Sequence, residues 1–205
     1  MKTINKFILE KLKINKDTKI NQYNYHPKDK KELQEIVNKL IKERGENADL
    51  NDIDTSEITD MSKLFKYSKF NGDISKWNVS NVEDMNHMFC DSKFTGENGD
   101  ISNWDVSKVR YMNHMFSSSL FNKNISDWNV SNVEDMNFMF YNSHFNQNIS
   151  DWNVSKTRLM NGMFAYSKFN QNIDNWTPPK NFKYNLIFQH CPLEKNPPKW
   201  YARII

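Results

Sequence analysis

Residues 125–148 read ISDWNVSNVEDMNFMFYNSHFNQN, and this stretch decides the fold because it recurs. Trp falls at 77, 104, 128, 152 and 176, in steps of 27, 24, 24 and 24. Met of the same unit falls at 61, 85, 112, 136 and 160, and Phe four residues later at 65, 89, 116, 140 and 164. A fixed period in the twenties marks a repeat architecture, in which each unit buries its apolar side against the next.

Within the unit, Trp128 and Val130 alternate and then give way to Val133, Met136, Met139 and Phe140. Alternation of aromatic and β-branched residues predicts a very short strand. Three- and four-residue spacing predicts one or two turns of helix. Ser131 with Glu134, and Ser80 with Glu83, form a capping-box pattern at the start of that helix. The sequence therefore predicts an α/β solenoid of leucine-rich-repeat-like coils of about 24 residues. Each coil would hold one short parallel strand and one short helix, and the stack would carry an N-terminal helical cap.

The flanks divide the chain further. Residues 1–27 hold Ile4, Phe7, Ile8 and Leu12 at helical spacing, then a polar linker; docking on the first coil is the favoured role for this segment over a partner or a membrane surface. Residues 28–49 predict a capping helix, with Leu33, Ile36, Val37, Leu40 and Ile41 on one face, Pro27 at its entrance and Gly45 past its end. Residues 50–176 are the repeats, the first one degenerate. Residues 177–205 form a degenerate last coil and an end cover containing Trp200, Tyr201, Ile204 and Ile205. The extra three residues of one unit fall in TGENGD, 95–100, as a surface loop.

Aromatic residues make up 14% of the chain while all hydrophobic residues reach only 38%, so Trp, Phe and Met must supply the core. Net charge is +3, distributed as +5 over residues 1–47, −6 over 48–176 and +4 over 177–205. Basic ends around an acidic middle do not make the continuous basic stripe that nucleic acid requires. Cys90 and Cys191 lie about four units apart, too far for a disulfide, which predicts two free thiols and a reducing compartment. The first residues lack the apolar core of a secretory signal, so the expected location is the cytoplasm of the producing cell. No stretch has the roughly 20 apolar residues of a membrane span.

Constant positions of the unit are explained by stacking. The columns Ser80, Ser107, Ser131, Ser155 and Asn71, Asn122, Asn146, Asn170 satisfy turns. The column Glu83, Arg110, Glu134, Arg158 alternates in sign, as stacked neighbours require. Recognition is expected where columns vary: Lys63, His87, His114, Phe138, Gly162; Lys66, Cys90, Ser117, Tyr141, Ala165; and Asp60, Asp84, Tyr111, Asp135, Leu159. From these come five candidate partner-binding residues, Phe138, Tyr141, Tyr111, His87 and His114, since aromatic anchors dominate interfaces. His87 and His114 fall short of a zinc ligand set, and Cys90 in the next column does not suffice to assign one. Phosphate-binding glycine loops, G-x-S-x-G and H-E-x-x-H are absent. No catalytic residue, metal or cofactor is predicted. The expected function is a non-enzymatic scaffold that binds another protein through a lateral face.

The motif W-[ND]-V-S-x-V-x-x-M-x-x-M-F-x-x-S-x-F-N stands at 77–95, 104–122 and 128–146, departing at Thr95, and in a fourth copy at 152–170 with Thr157 for the second Val. These units resemble the BspA-like leucine-rich-repeat family, of unknown biochemical function and abundant in mycoplasma surface proteins. The resemblance covers roughly residues 50–193. It implies a solenoid used for protein recognition, often at a cell surface. A leading helix and a C-P-L…N-P-P-K-W-Y ending are similar to signal-less copies encoded by gut bacteria and their phages. That similarity implies an alternative role as a structural component of a larger assembly such as a virion, anchored by the N-terminal segment, with virion or cell surface as the alternative location.

Overall fold

The computed structural model describes residues 23–202. The expected N-terminal amphipathic helix around Ile4–Leu12, and Ile204 and Ile205, lie outside them.

Successive units stack in parallel. Asp60, Asp84, Tyr111, Asp135, Leu159 and Lys183 form one row, each bridged to the next by a single-residue parallel bridge. The predicted strand and helix of each unit do not form, and this overturns the α/β solenoid. Among the described residues every bridge is isolated, so no strand and no sheet exist. Among the described residues, the two α-helices, α1 at Lys30–Arg44 and α2 at Lys199–Ala202, lie outside the repeats, as does the one 3-10 turn, at Pro192–Glu194.

Chained turns replace the helix. The N–H groups of Met88, Cys90 and Ser92 donate back three residues, to the carbonyls of Met85, His87 and Phe89. The alternate N–H groups, of Met85, His87, Phe89 and Asp91, donate to Tyr111, Asn113, Met115 and Ser117 of the next unit at 2.8–2.9 Å. A helix would spend all of these donors internally and leave nothing to join the units. Spacing forbids it as well. The ring centroids of Phe65, Phe89, Phe116, Phe140, Phe164 and Phe188 follow one another at 5.5–6.0 Å. Packed helices need about 8–10 Å between axes.

The predicted strand fails because turns interrupt it. Asn78, Asp105, Asn129 and Asn153 each accept, through the side-chain oxygen, the N–H of the Ser two residues on. Ser131 is thus held by Asn129 and caps nothing. Such Asx turns recur beside Asp73, Asp100, Asn124, Asn148 and Asn172. They account for the abundance of Asn, whose side chain copies a backbone turn.

The core is a set of stacked columns. Besides the Phe column just described, Phe70, Phe94, Phe121, Phe145 and Phe169 stack at 6.1–6.4 Å with rings within 7° of parallel. All are fully buried, as are Met85, Met88, Met112, Met115, Met136 and Met139. Burying side chains of this size contributes about 1.5–3 kcal/mol each. The indole N–H of each Trp reaches back to an Ile or Leu carbonyl of the preceding unit: Trp77 to Leu50, Trp104 to Ile74, Trp128 to Ile101, Trp152 to Ile125 and Trp176 to Ile149. The column does not stop at Trp176. Trp200 stacks on it at 6.4 Å and donates to Ile173.

Helix α1 lies against the first unit. Asp29 caps it by accepting from Glu32 N–H, while Glu32 accepts from Lys28 N–H. Its buried face is Leu33, Val37 and Leu40. Lys30 reaches Asp60 and Ser62, and Gln34 donates to the Leu64 carbonyl. Arg44 forks onto both carboxylate oxygens of Asp52 at 2.9 Å. This pairing lowers the Asp52 carboxyl to about 2.

Candidate functional site

The turns that replace the helix have a backbone consequence. In each unit two residues are held in the left-handed region. One column is Lys63, His87, His114, Phe138, Gly162 and Leu186; the other is Tyr67, Asp91, Ser118, Asn142, Tyr166 and His190. Their φ angles run from 50° to 63°. Asn, Asp, His and Gly tolerate this conformation, whereas bulky side chains are strained there. The chain nevertheless places Phe138, Tyr67, Tyr166 and Leu186 in it. Three of these are also exposed: Tyr67 by 69%, Leu186 by 62% and Tyr166 by 45%. Strained positions persist where the surrounding structure over-determines the backbone, and they cluster at functional sites.

These columns run side by side and make a lateral aromatic face. His87 and His114 stack at 4.6 Å, nearly parallel. Phe138 stacks on His114 at 4.8 Å and meets Tyr141 edge-on at 5.8 Å. Tyr141 contacts Tyr166, and Tyr166 contacts His190 at 4.8 Å. The far side of Phe138 lies over Gly162, where a Cβ would stand 2.6 Å from Phe138 Cδ1. Gly162 both permits the positive φ and leaves room for the ring.

Of the five residues expected from the sequence, His87, His114, Phe138 and Tyr141 therefore come together. Tyr111 does not join them. It sits in the bridged row between Asp84 and Asp135, with the Arg110 guanidinium 5.2 Å from its ring centre. Arg110 in turn donates to Glu134 at 2.8 Å, and Arg158 approaches Glu134 at 3.8 Å. Tyr67, Tyr166, Leu186 and His190 were not singled out by the sequence reading. The available signal was the variability of their column, four residues after the His87 column. Trp200 was missed as a column member although it lies one period after Trp176.

Burial sets the protonation of the face. It is the main cause holding the His87 imidazole down at about 4, helped by His114, Lys66 and Lys63. His114 is lowered as well, chiefly by burial. His87 Nδ1 is buried with no hydrogen-bond partner among the described residues. Both rings are neutral at pH 7 and stack without repulsion. The Cys90 thiol is pushed up to about 11 by burial and donates to Asp91 Oδ2, which leaves it a poor nucleophile. Among the described residues no three His, Cys, Asp or Glu side chains converge on a metal position, and both cysteines are free. At the C-terminal end a groove of about 360 Å³ is lined by Trp176, Pro178, Pro179, Phe182 and Trp200. Its carboxylate, Asp174, is occupied by Lys199 at 2.9 Å. No described helix is long and apolar enough to cross a membrane.

A family model described as "Mycoplasma protein of unknown function, DUF285" matches the chain twice, over residues 31–143 and 92–200. No curated protein and no solved structure matches it.

Proposed function

From a chain that belongs to the mycoplasma-type repeat family DUF285, whose function is unknown, we propose a non-enzymatic scaffold that binds another protein through its lateral aromatic face. The observation that carries this reading is the placement of Tyr67, Tyr166 and Leu186. They are large, exposed and held at positive φ, where Asn or Gly would serve stability better. Tyr166 and Leu186 stand in adjacent units next to Phe138 and Tyr141, and Tyr67 stands four units away in the column of Tyr166. Exposed aromatic and aliphatic side chains along one face suit a protein partner. Within the family, we propose from the resemblance of its motif that the chain groups with BspA-like repeats of the kind found in gut bacteria and their phages. With that grouping we propose a location in the cytoplasm of the producing cell, with a virion or cell surface as the alternative.

The test is affinity capture with the intact chain, with Tyr166→Ser/Leu186→Ser and with Arg158→Ala, read by quantitative mass spectrometry. A true partner is enriched on the wild type and on Arg158→Ala and lost on the double variant. Equal recovery on all three sinks the proposal.

A further inference from the structure

Charge on the lateral face runs against that of the rest of the stack. The segments 63–69, 87–93, 114–120, 138–144, 162–168 and 186–192 carry the left-handed residues that build it. They hold five lysines, at 63, 66, 69, 93 and 168, and a single carboxylate, Asp91. Outside these segments, residues 48–176 hold six Lys or Arg and sixteen Asp or Glu. These segments are thus +4, against −10 for the rest of residues 48–176. Four of the five histidines, His87, His114, His144 and His190, also lie in these segments. Asp91 accepts from the Cys90 thiol. Lys69 pairs loosely with Glu46 at 4.0 Å. Lys63, Lys66 and Lys93 form no ion pair with any described residue.

The face is also polarised along the stack. Lys63, Lys66 and Lys93 belong to the first two units, with the Lys66 ammonium 4.8 Å from the Tyr67 ring centre. Phe138, Tyr141, Tyr166 and Leu186 belong to the last three. Building on the scaffold reading, we infer that the face binds an extended acidic peptide segment, its carboxylates on the lysine end and its aromatic or aliphatic side chains on the tyrosine–leucine end. Six units at a spacing of about 4.8 Å span roughly 24 Å, the length of about seven extended residues. Opposite charge across such an interface sets register and speeds encounter.

The geometry favours peptide over single-stranded nucleic acid. His87, His114 and Phe138 turn their faces to one another, at interplanar angles of 6° and 23°, so ring edges point outward where bases would need open faces. The unpaired lysines sit mostly at one end, whereas phosphates would demand cations along the whole strand.

Panning a randomised heptapeptide display library on the intact chain, then measuring selected peptides by fluorescence polarisation, tests the inference. Selected sequences should carry Asp or Glu in one half and Phe, Leu, Tyr or Trp in the other. Replacing their acids by amides should weaken binding about tenfold or more, as should Lys63→Glu/Lys66→Glu/Lys93→Glu. Tyr166→Ser/Leu186→Ser should weaken it similarly, and Arg158→Ala should not. If the apolar variant weakens binding while the lysine reversals do not, the acidic inference falls and the scaffold reading stands. If no peptide is selected, or binding ignores both variant sets, the inference falls together with the scaffold's use of this face. Preferential, face-dependent binding of a labelled oligothymidine overturns it in favour of nucleic acid. Circular dichroism confirms that each variant is folded.

Discussion

The indole N–H of Trp200 donates to the Ile173 carbonyl at 2.8 Å, repeating at the end of the stack the bond that Trp176 makes to Ile149 at 2.9 Å. The last turn of chain is therefore one more partial unit, held by the same device as the others. Trp200→Phe keeps most of the ring and removes the bond, and should lower stability by about 1 kcal/mol. Trp200 is only half-buried, so Trp200→Ala should cost about 2–3 kcal/mol, below the range for a fully buried Trp. Urea unfolding followed by far-ultraviolet dichroism checks both; equal loss in the two variants would show that the bond, and not the ring, holds this end.

Gly162 and Phe138 should behave as a coupled pair. Gly162→Ala brings a Cβ against the Phe138 ring and places it at a φ of 57°. A loss of about 2–3 kcal/mol is expected from overpacking and left-handed strain together. In the Phe138→Ala background the same substitution should cost only the strain, about 1 kcal/mol. A double-mutant cycle in urea reads the difference, and strict additivity would contradict the packing.

Leu186 offers the reverse effect. It is 62% exposed at a φ of 59°, so Leu186→Asn removes little packing and relieves strain. A gain of about 0.5–1 kcal/mol is expected, visible as a higher midpoint in thermal unfolding. A substitution that stabilises while abolishing partner binding would separate the two demands on this position.

Acid should weaken the fold in two separate windows. His87 has a folded value of about 4, below its ordinary 6.5, so the unfolded chain binds the proton more readily. Its contribution is intact above pH 6.5 and fades as pH falls toward 4. Asp52 has a folded value of about 2, below its ordinary 3.8. Its contribution persists to about pH 4 and fades as pH falls toward 2. Denaturation midpoints across pH should show His87→Gln flattening only the upper window and Arg44→Met only the lower. The Arg44–Asp52 pair is partly exposed, so Arg44→Met should lower neutral-pH stability by only about 1 kcal/mol. A midpoint unchanged from pH 7 to 4 in the wild type would refute the His87 assignment.

The spacing Val133, Met136, Met139, Phe140 fits a helix and also fits chained turns, because both return a side chain to the core every three or four residues. The sequence does not hold the quantity that chooses between them, the distance between units. Ser131 and Glu134 likewise read as a helix cap until Asn129 and Arg110 are seen to engage them. Thr157 replaces a core Val without harm, because its hydroxyl donates to the Val133 carbonyl one unit back.

By itself the sequence determined the period, the register and the buried columns of Trp, Met and Phe, since identical residues at a fixed interval must occupy equivalent places. It also brought His87, His114, Phe138 and Tyr141 into neighbouring columns. Only the tertiary structure decided that each unit is made of turns, because a rise of one strand spacing leaves no width for a helix. It also decided that Tyr111 stands apart from the aromatic face, and that Tyr67, Tyr166 and Leu186 belong to it. A side chain's outward direction is set by the left-handed turn that carries it, and that turn exists only once the next unit has claimed the alternate backbone donors.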